Sequence, residues 1–185
     1  MPLGLPEDSD DGPADEGLLM HHVWSKGDYE ISTDPSRLDV NMVHAFLTDS
    51  YWAKGIPLET VQLSIENSIP FGVYHGRQQV GFARVISDRA TFAYLGDVFI
   101  VPDYRGRGLS RWLMECIVGH PDLQGLRRWM LATRDAHGLY RQYGFTELKS
   151  PERWMEIHHP DVYTPLSPET LSISPPKTLK RGGTE

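Results

Sequence analysis

The chain has 185 residues, one cysteine (Cys116) and a formal net charge of −7. That length fits one domain with room for tails, and it can build a core without disulfide staples, which a single cysteine could not close internally. No apolar run approaches the ~20 residues of a membrane span, and the N-terminal segment lacks the basic-then-apolar order of a secretory signal, so a cytoplasmic protein without a membrane anchor is expected.

The acidity belongs to one end. Glu7, Asp8, Asp10, Asp11, Asp15 and Glu16 come before any Lys or Arg, and setting them aside leaves the rest of the chain at about −1. Residues 1–22, rich in Asp, Glu, Gly and Pro, read as a disordered acidic tail. Residues 160–185 carry Pro160, Pro165, Pro168, Pro175 and Pro176 and read as a second, Pro-rich tail. One domain is expected between them, over residues 23–159. Its elements begin with a short strand at Tyr29–Thr33. Leu38, Met42, Ala45 and Phe46 then recur at helical spacing, with Asp34 and Pro35 suited to N-cap and N1. Leu58, Val61 and Ile65 mark a second amphipathic helix. Phe71–His75 and Val80–Ser87 form a hairpin about Gly76-Arg77, and strands follow at Ala90–Tyr94 and Asp97–Val101. Leu109, Trp112, Leu113, Cys116 and Ile117 fall at i, i+3, i+4, i+7 and i+8, the clearest helix of the chain. A strand at Arg128–Ala132 precedes a short helix at Asp135–Tyr143, stopped by Gly144, and strands at Phe145–Leu148 and Arg153–Ile157 close the domain. This order gives an α+β (α/β) fold, a mixed sheet flanked by helices.

The chemistry concentrates after Asp97. Between Val101 and Arg141, seven arginines (105, 107, 111, 127, 128, 134 and 141) face only Asp103, Glu115, Asp122 and Asp135. A basic stretch in an otherwise neutral domain suggests an anionic ligand rather than nucleic acid, or else a solvated arginine-rich surface. The segment itself is a strand, a turn Arg105-Gly106-Arg107-Gly108, and an amphipathic helix. Glycines at 106 and 108 let successive N–H groups converge, and the helix starting near Leu109 presents unpaired N–H groups and the positive end of its dipole. Such a turn binds phosphate. It lacks the Gly-Lys-Ser/Thr of a P-loop, and it lacks the third glycine and the distal acid of a dinucleotide-binding turn. An acyl-CoA cradle is left.

At this point the sequence resembles the GNAT superfamily of acetyltransferases. Arg105-Gly-Arg-Gly108-Leu-Ser110 is similar to the family's Gln/Arg-x-x-Gly-x-Gly/Ala, with Ser110 in place of the final small residue. Ala136-His-Gly-Leu-Tyr140-Arg-Gln-Tyr-Gly144-Phe145 is similar to its Ala-x-x-Leu-Tyr-x-x-x-Gly-Phe segment. The resemblance covers roughly residues 29–157. It implies the GNAT fold, a mixed sheet splayed between its fourth and fifth strands, and acetyl-CoA as co-substrate. It further implies that Arg105, Gly106, Arg107, Gly108, Leu109 and Ser110 hold the pyrophosphate, that Phe99, Ile100 and Val101 pair with the pantetheine arm, and that Thr133 bonds the cofactor or the strand end. By the same resemblance, Tyr140 protonates the leaving thiolate and a backbone N–H near Ile100 or Val101 stabilises the oxyanion.

The base is less determined. Asp97 opens a strand and shares a face with Phe99 and Val101 by alternation, so it is either the base or a local backbone partner. His137 and bulk water are weaker candidates. Trp24, Tyr51 and Trp52 belong to the region that walls the acceptor site in the superfamily, and equally suit an ordinary core. Cys116 lies on an apolar helix face without an activating partner, and the histidines show no metal-ligand spacing, so no metal is expected. The expected function is an acetyl-CoA-dependent N-acetyltransferase acting on a primary amine, a small molecule rather than a protein. The alternatives are a non-catalytic acyl-CoA-binding module on the same fold and an enzyme that uses a longer acyl chain. A homodimer is common in the superfamily, and no residue here speaks for or against it.

Overall fold

A computed structural model describes residues 21–164. Both expected tails, 1–22 and 160–185, lie outside the described residues except at their inner ends. The described chain is ordered by one six-stranded sheet whose strands neighbour one another in sequence order. A hairpin of β1 (Val23–Lys26) and β2 (Tyr29–Ser32) leads into two helices, α1 (Val40–Asp49) and α2 (Leu58–Glu66). Then come β3 (Ile69–His75), β4 (Gln78–Ser87) and β5 (Phe92–Ile100). Helix α3 (Leu109–Val118) crosses back to β6 (Arg128–Met130), and α4 (His137–Tyr140) follows. All neighbouring strands are antiparallel except β5 and β6, which are parallel, as a helical crossover requires.

The sheet buries both faces. On one, α3 inserts Leu109, Trp112, Leu113, Cys116 and Ile117 against Phe71, Val73, Val85 and Leu95. On the other, Val43 and Leu47 of α1 and Val61 and Ile65 of α2 pack on Phe82 and Phe99. Central strands covered on two sides read as near-continuous apolar runs, which is why β3 and β4 are almost wholly buried. The approach between β4 and β5 is close enough to require glycine at 81. A Cβ there would meet Ile100 Cδ1 at 2.5 Å and the Phe99 carbonyl oxygen at 2.8 Å.

Four expectations need correction. Strand β1 was not anticipated; its four residues are largely exposed and too few for a periodic signal. Asp34 caps only a 3-10 turn at Pro35–Arg37, and the α-helix starts later, with the Asp39 carboxylate accepting from Met42 N–H at 3.0 Å. Ala90–Tyr94 and Asp97–Val101 are one strand, interrupted by a bulge rather than a loop. Phe82 faces Phe99 while Arg84 faces Gly96, so Ala83 stands opposite both Asp97 and Val98. Finally, Phe145–Leu148 and Arg153–Ile157 are not strands. Pro151 begins a 3-10 turn, the Phe145 N–H bonds back to the Tyr140 carbonyl, and Met155 and Ile157 are 98% and 89% exposed. Alternating apolar residues without a buried face or a pairing partner gain nothing from being a strand.

Candidate active site

The turn after β5 has the predicted local structure. Gly106 and Gly108 take φ of +75° and +79°, a region closed to most side chains, and Gly108 is the N-cap of α3. No side chain caps that helix, so its first N–H groups remain available. A Cβ built on either glycine would meet nothing within 4 Å, so the space beside the turn is open. Ile100, Arg105, Gly106, Gly108, Leu109, Ser110 and Leu139 line a concavity of about 410 Å3 there. Both arginines of the motif are engaged within the chain. Arg105 Nε donates to the Ile100 carbonyl at 2.9 Å. Arg107 reaches Tyr29 Oη and the Asp103 carbonyl and lies over the Tyr104 ring. The concavity therefore offers backbone N–H groups first and cationic side chains second, and its donors fit a pyrophosphate.

From this turn the sheet opens. β6 pairs with β5 only from Phe92 to Tyr94, and β5 runs on to Ile100 without a neighbouring strand on that side among the described residues. Which backbone groups face the opening follows from the register. Val101 N–H donates to the Val80 carbonyl at 2.9 Å, so Val101 points at β4, and Phe99 does the same by alternation. Ile100 points the other way, as the Arg105 bond to its carbonyl also shows. Of the three residues expected to meet a pantetheine arm, Ile100 alone turns its backbone to the opening; Val101 N–H is already engaged. Phe99 contributes its ring, stacked on Phe46 at 3.7 Å.

The short helix α4 stands across the opening. Thr133 fixes its start, because Thr133 Oγ1 accepts from Ala136 N–H at 3.1 Å, so in this structure the hydroxyl serves the helix start rather than a strand end. Consecutive residues of α4 then face different spaces. Leu139 lines the concavity at the glycine turn, and Tyr140 lines a second cavity of about 480 Å3 beyond the splay. Tyr140 is 8% exposed and packs edge-on to Phe145. Burial, with smaller contributions from Tyr51, Asp135 and Tyr94, pushes its phenol up to about 12. The phenol is therefore a proton donor throughout the neutral range and not a base. His137 is exposed and lines a third cavity, of about 290 Å3, with Thr133 and Tyr140.

Asp97 lies in the second cavity with Tyr140. It occupies the left-handed position of the β5 bulge, φ +55°, which costs a non-glycine residue of order 1 kcal/mol. Its carboxylate is clamped from both sides: Trp52 Nε1 donates to Oδ1 at 3.0 Å and Arg84 Nε donates to Oδ2. Both members of the Arg84–Asp97 pair are largely buried, at 19% and 10% exposure of their side chains. Tyr51 and Trp52, from the loop after α1, wall this cavity, while Trp24 packs on Phe71 and His120 elsewhere. Sequence reasoning missed Arg84 and named Arg134 only as one arginine of the basic stretch. For Arg84 a signal was present, since it is the lone charge within the apolar run Val80–Ile86.

Other features fall outside this arrangement. Cys116 is buried and its thiol is pushed up to about 12 by burial, so it is a core residue. A larger cavity of about 640 Å3, beside β6 and Trp154, contains none of the predicted site residues. Among the described residues, no three His, Cys, Asp or Glu side chains gather as a metal site would need, and no helix is long and apolar enough to cross a membrane.

Comparison with known proteins bears on this geometry. Residues 66–147 match the family model described as acetyltransferase (GNAT) domain. A protein of Gibberella zeae named as a candidate acetyltransferase is 36% identical over 140 residues, 63% of this chain and 78% of its own length. The crystal structure of a candidate GNAT-family acetyltransferase from Xanthomonas campestris pv. campestris superposes with a TM-score of 0.72 at 55% identity, covering 74% of this chain and 96% of the other. A protein of Clostridium acetobutylicum solved with acetyl-CoA shares the fold, with a TM-score of 0.51 at 15% identity over 75% of this chain and 96% of the other.

Proposed function

The chain belongs to the GNAT family of acetyltransferases, and we propose that it moves the acetyl group of acetyl-CoA to a primary amine by direct attack within a ternary complex. The observation that carries this reading is the placement of Leu139 and Tyr140. Adjacent residues of α4 border the phosphate-binding concavity and the cavity beyond the splay, so one turn of helix joins the two spaces. The family uses acetyl-CoA, which supplies the activated acetyl thioester.

In this reading each residue has a task that its geometry supports. Gly106, Gly108 and the first N–H groups of α3, with Ser110 beside them, hold the pyrophosphate. The Ile100 N–H, turned toward the opening, is the strand group placed to bond the arm or the developing oxyanion. Tyr140 donates its O–H to the departing sulfur. Asp97 accepts from the ammonium of the acceptor. An ionised carboxylate offers about four acceptor sites, and Trp52 and Arg84 occupy one on each oxygen. That engagement favours Asp97 as the anchor that orients the amine, with the proton released to water.

Calorimetry with acetyl-CoA, followed by thiol release over a panel of amines, tests the reading. Tyr140→Phe should keep cofactor affinity within about twofold and lose roughly a hundredfold in kcat. An unchanged kcat would remove Tyr140 from the mechanism. Cofactor binding with no acetyl transfer to any amine would instead support the non-catalytic acyl-CoA module.

A further inference from the structure

Resting on the acetyl-transfer reading above, we infer that the acceptor is a small amine that also carries an anionic group, a zwitterion of the amino-acid type. The cavity beyond the splay, about 480 Å3, suits a molecule of that size. Two arginines and two aspartates border it, and they divide into unlike pairs. Arg84 and Asp97 satisfy one another, are largely buried, and sit at the bulge of β5. With about two acceptor sites left on its carboxylate, Asp97 can bond an ammonium but has little charge to spare for a second cation.

Arg134 is different. It is exposed, and among the described residues it forms no ion pair and its guanidinium donates no hydrogen bond. Its guanidinium lies on the Tyr51 ring, 3.8 Å from the centroid, while its backbone N–H donates to Tyr51 Oη at 3.1 Å. Arg134 comes from the loop between β6 and α4, and Tyr51 from the loop after α1, so the stack joins two loops across the mouth. Stacking fixes the plane of the guanidinium and leaves its N–H edge free. A planar fork of donors so held matches a carboxylate or a phosphate. Asp135 beside it is likewise unpaired among the described residues, so the mouth is neutral overall and favours neither a polycation nor a polyanion. The arrangement fits one positive and one negative group on the same small molecule: ammonium on Asp97, anion on Arg134.

The test measures thiol release at saturating acetyl-CoA with free amino acids, their α-amides, diamines and amino-sugar phosphates. The best anion-bearing amine is expected to exceed its own amide or dephosphorylated form by about tenfold or more in kcat/KM, mainly through KM. Arg134→Gln should erase that preference and leave acetyl-CoA affinity, read by calorimetry, within twofold. Preference for an amino-sugar phosphate over every amino acid supports the anionic group and assigns it to phosphate. A diamine or an amide used as well as its anionic counterpart overturns the inferred class and leaves acetyl transfer standing. Equal losses on acid and amide in Arg134→Gln overturn it too. No thiol release with any of the panel, in protein that binds acetyl-CoA, overturns acetyl transfer to small amines and this inference together.

Discussion

The two spaces joined by α4 are built in opposite ways. The concavity at the glycine turn is built mainly on one continuous segment, the end of β5 through the start of α3, with Leu139 beside it, and its donors are backbone N–H groups placed by two positive φ angles and a helix start. The cavity beyond the splay is made by side chains from four separate segments: Tyr51 and Trp52, Arg84, Asp97, and Arg134 to Tyr140. A backbone site depends on conformation and tolerates many side chains. A side-chain site depends on each partner and can be retuned one residue at a time.

Substitutions should separate the two. The largest effect is expected from Gly108→Asp, which strains a φ of +79° and adds a negative charge where N–H groups converge. Acetyl-CoA affinity should fall by roughly a hundredfold or more, read by calorimetry, with the far-ultraviolet dichroism unchanged. Retained affinity would show that the turn is not the phosphate site. Asp97→Asn should do the reverse. Asn tolerates the left-handed backbone, but Arg84 loses its counter-charge in a largely buried position. Stability should drop by about 2 kcal/mol, discounted for the water Arg84 retains, and Tm by about 6 °C. Cofactor affinity should hold. Equal damage to both properties would mean the spaces are not independent.

Two further changes lie outside both spaces and calibrate the comparison. The Tyr74 hydroxyl is buried over Gly72 without a hydrogen-bond partner among the described residues. Tyr74→Phe should therefore raise stability by about 1 kcal/mol and leave both affinities alone; a loss of that size in thermal denaturation would reveal a partner for the hydroxyl. The smallest effect concerns pH. His120 is 2% exposed beside His22, its Nδ1 accepts from Asp122 N–H, and burial holds its pKa below the ordinary value. A lowered folded value means the unfolded chain binds the proton more readily. This contribution to stability is complete above about pH 6.5 and is lost as pH falls through the range below it. Tm should decline by a few degrees from pH 7.5 to 5, and His120→Gln should flatten that slope. Asp88, held low by bonds from Thr91, Phe92 and Ala90, titrates further down and does not share this window.

The same contrast explains what could be read from the sequence. Gly106, Gly108 and the apolar stripe of α3 are local, so the glycine turn and the helix it opens were legible, as was the stop at Gly144. The second cavity was only partly legible. Asp97 was identified, but its partners Arg84 and Trp52 lie 13 and 45 positions away and meet it only through the sheet. The bulge was read as a break between strands because Leu95-Gly96 interrupts the alternation there. The closing strands failed for a different reason. Phe145–Leu148 and Arg153–Ile157 carry apolar and aromatic residues that suit short strands, but whether a strand forms depends on an available edge and a face to cover, which local pattern does not encode.

The bulge has one more consequence. Ala93 and Leu95 pack on the α3 side, Phe99 on the side of α1 and α2, and Ile100 on the α3 side again, so the odd and even positions exchange faces between Leu95 and Phe99. Remove Asp97 on paper and the exchange disappears: Gly96, Val98, Phe99 and Ile100 fall into unbroken alternation opposite Arg84, Ala83, Phe82 and Gly81. In the arithmetic of the sheet, Asp97 is surplus. It behaves as a single inserted letter that the ladder absorbs without shifting the text on either side, and the letter inserted is the carboxylate that faces the cavity beyond the splay.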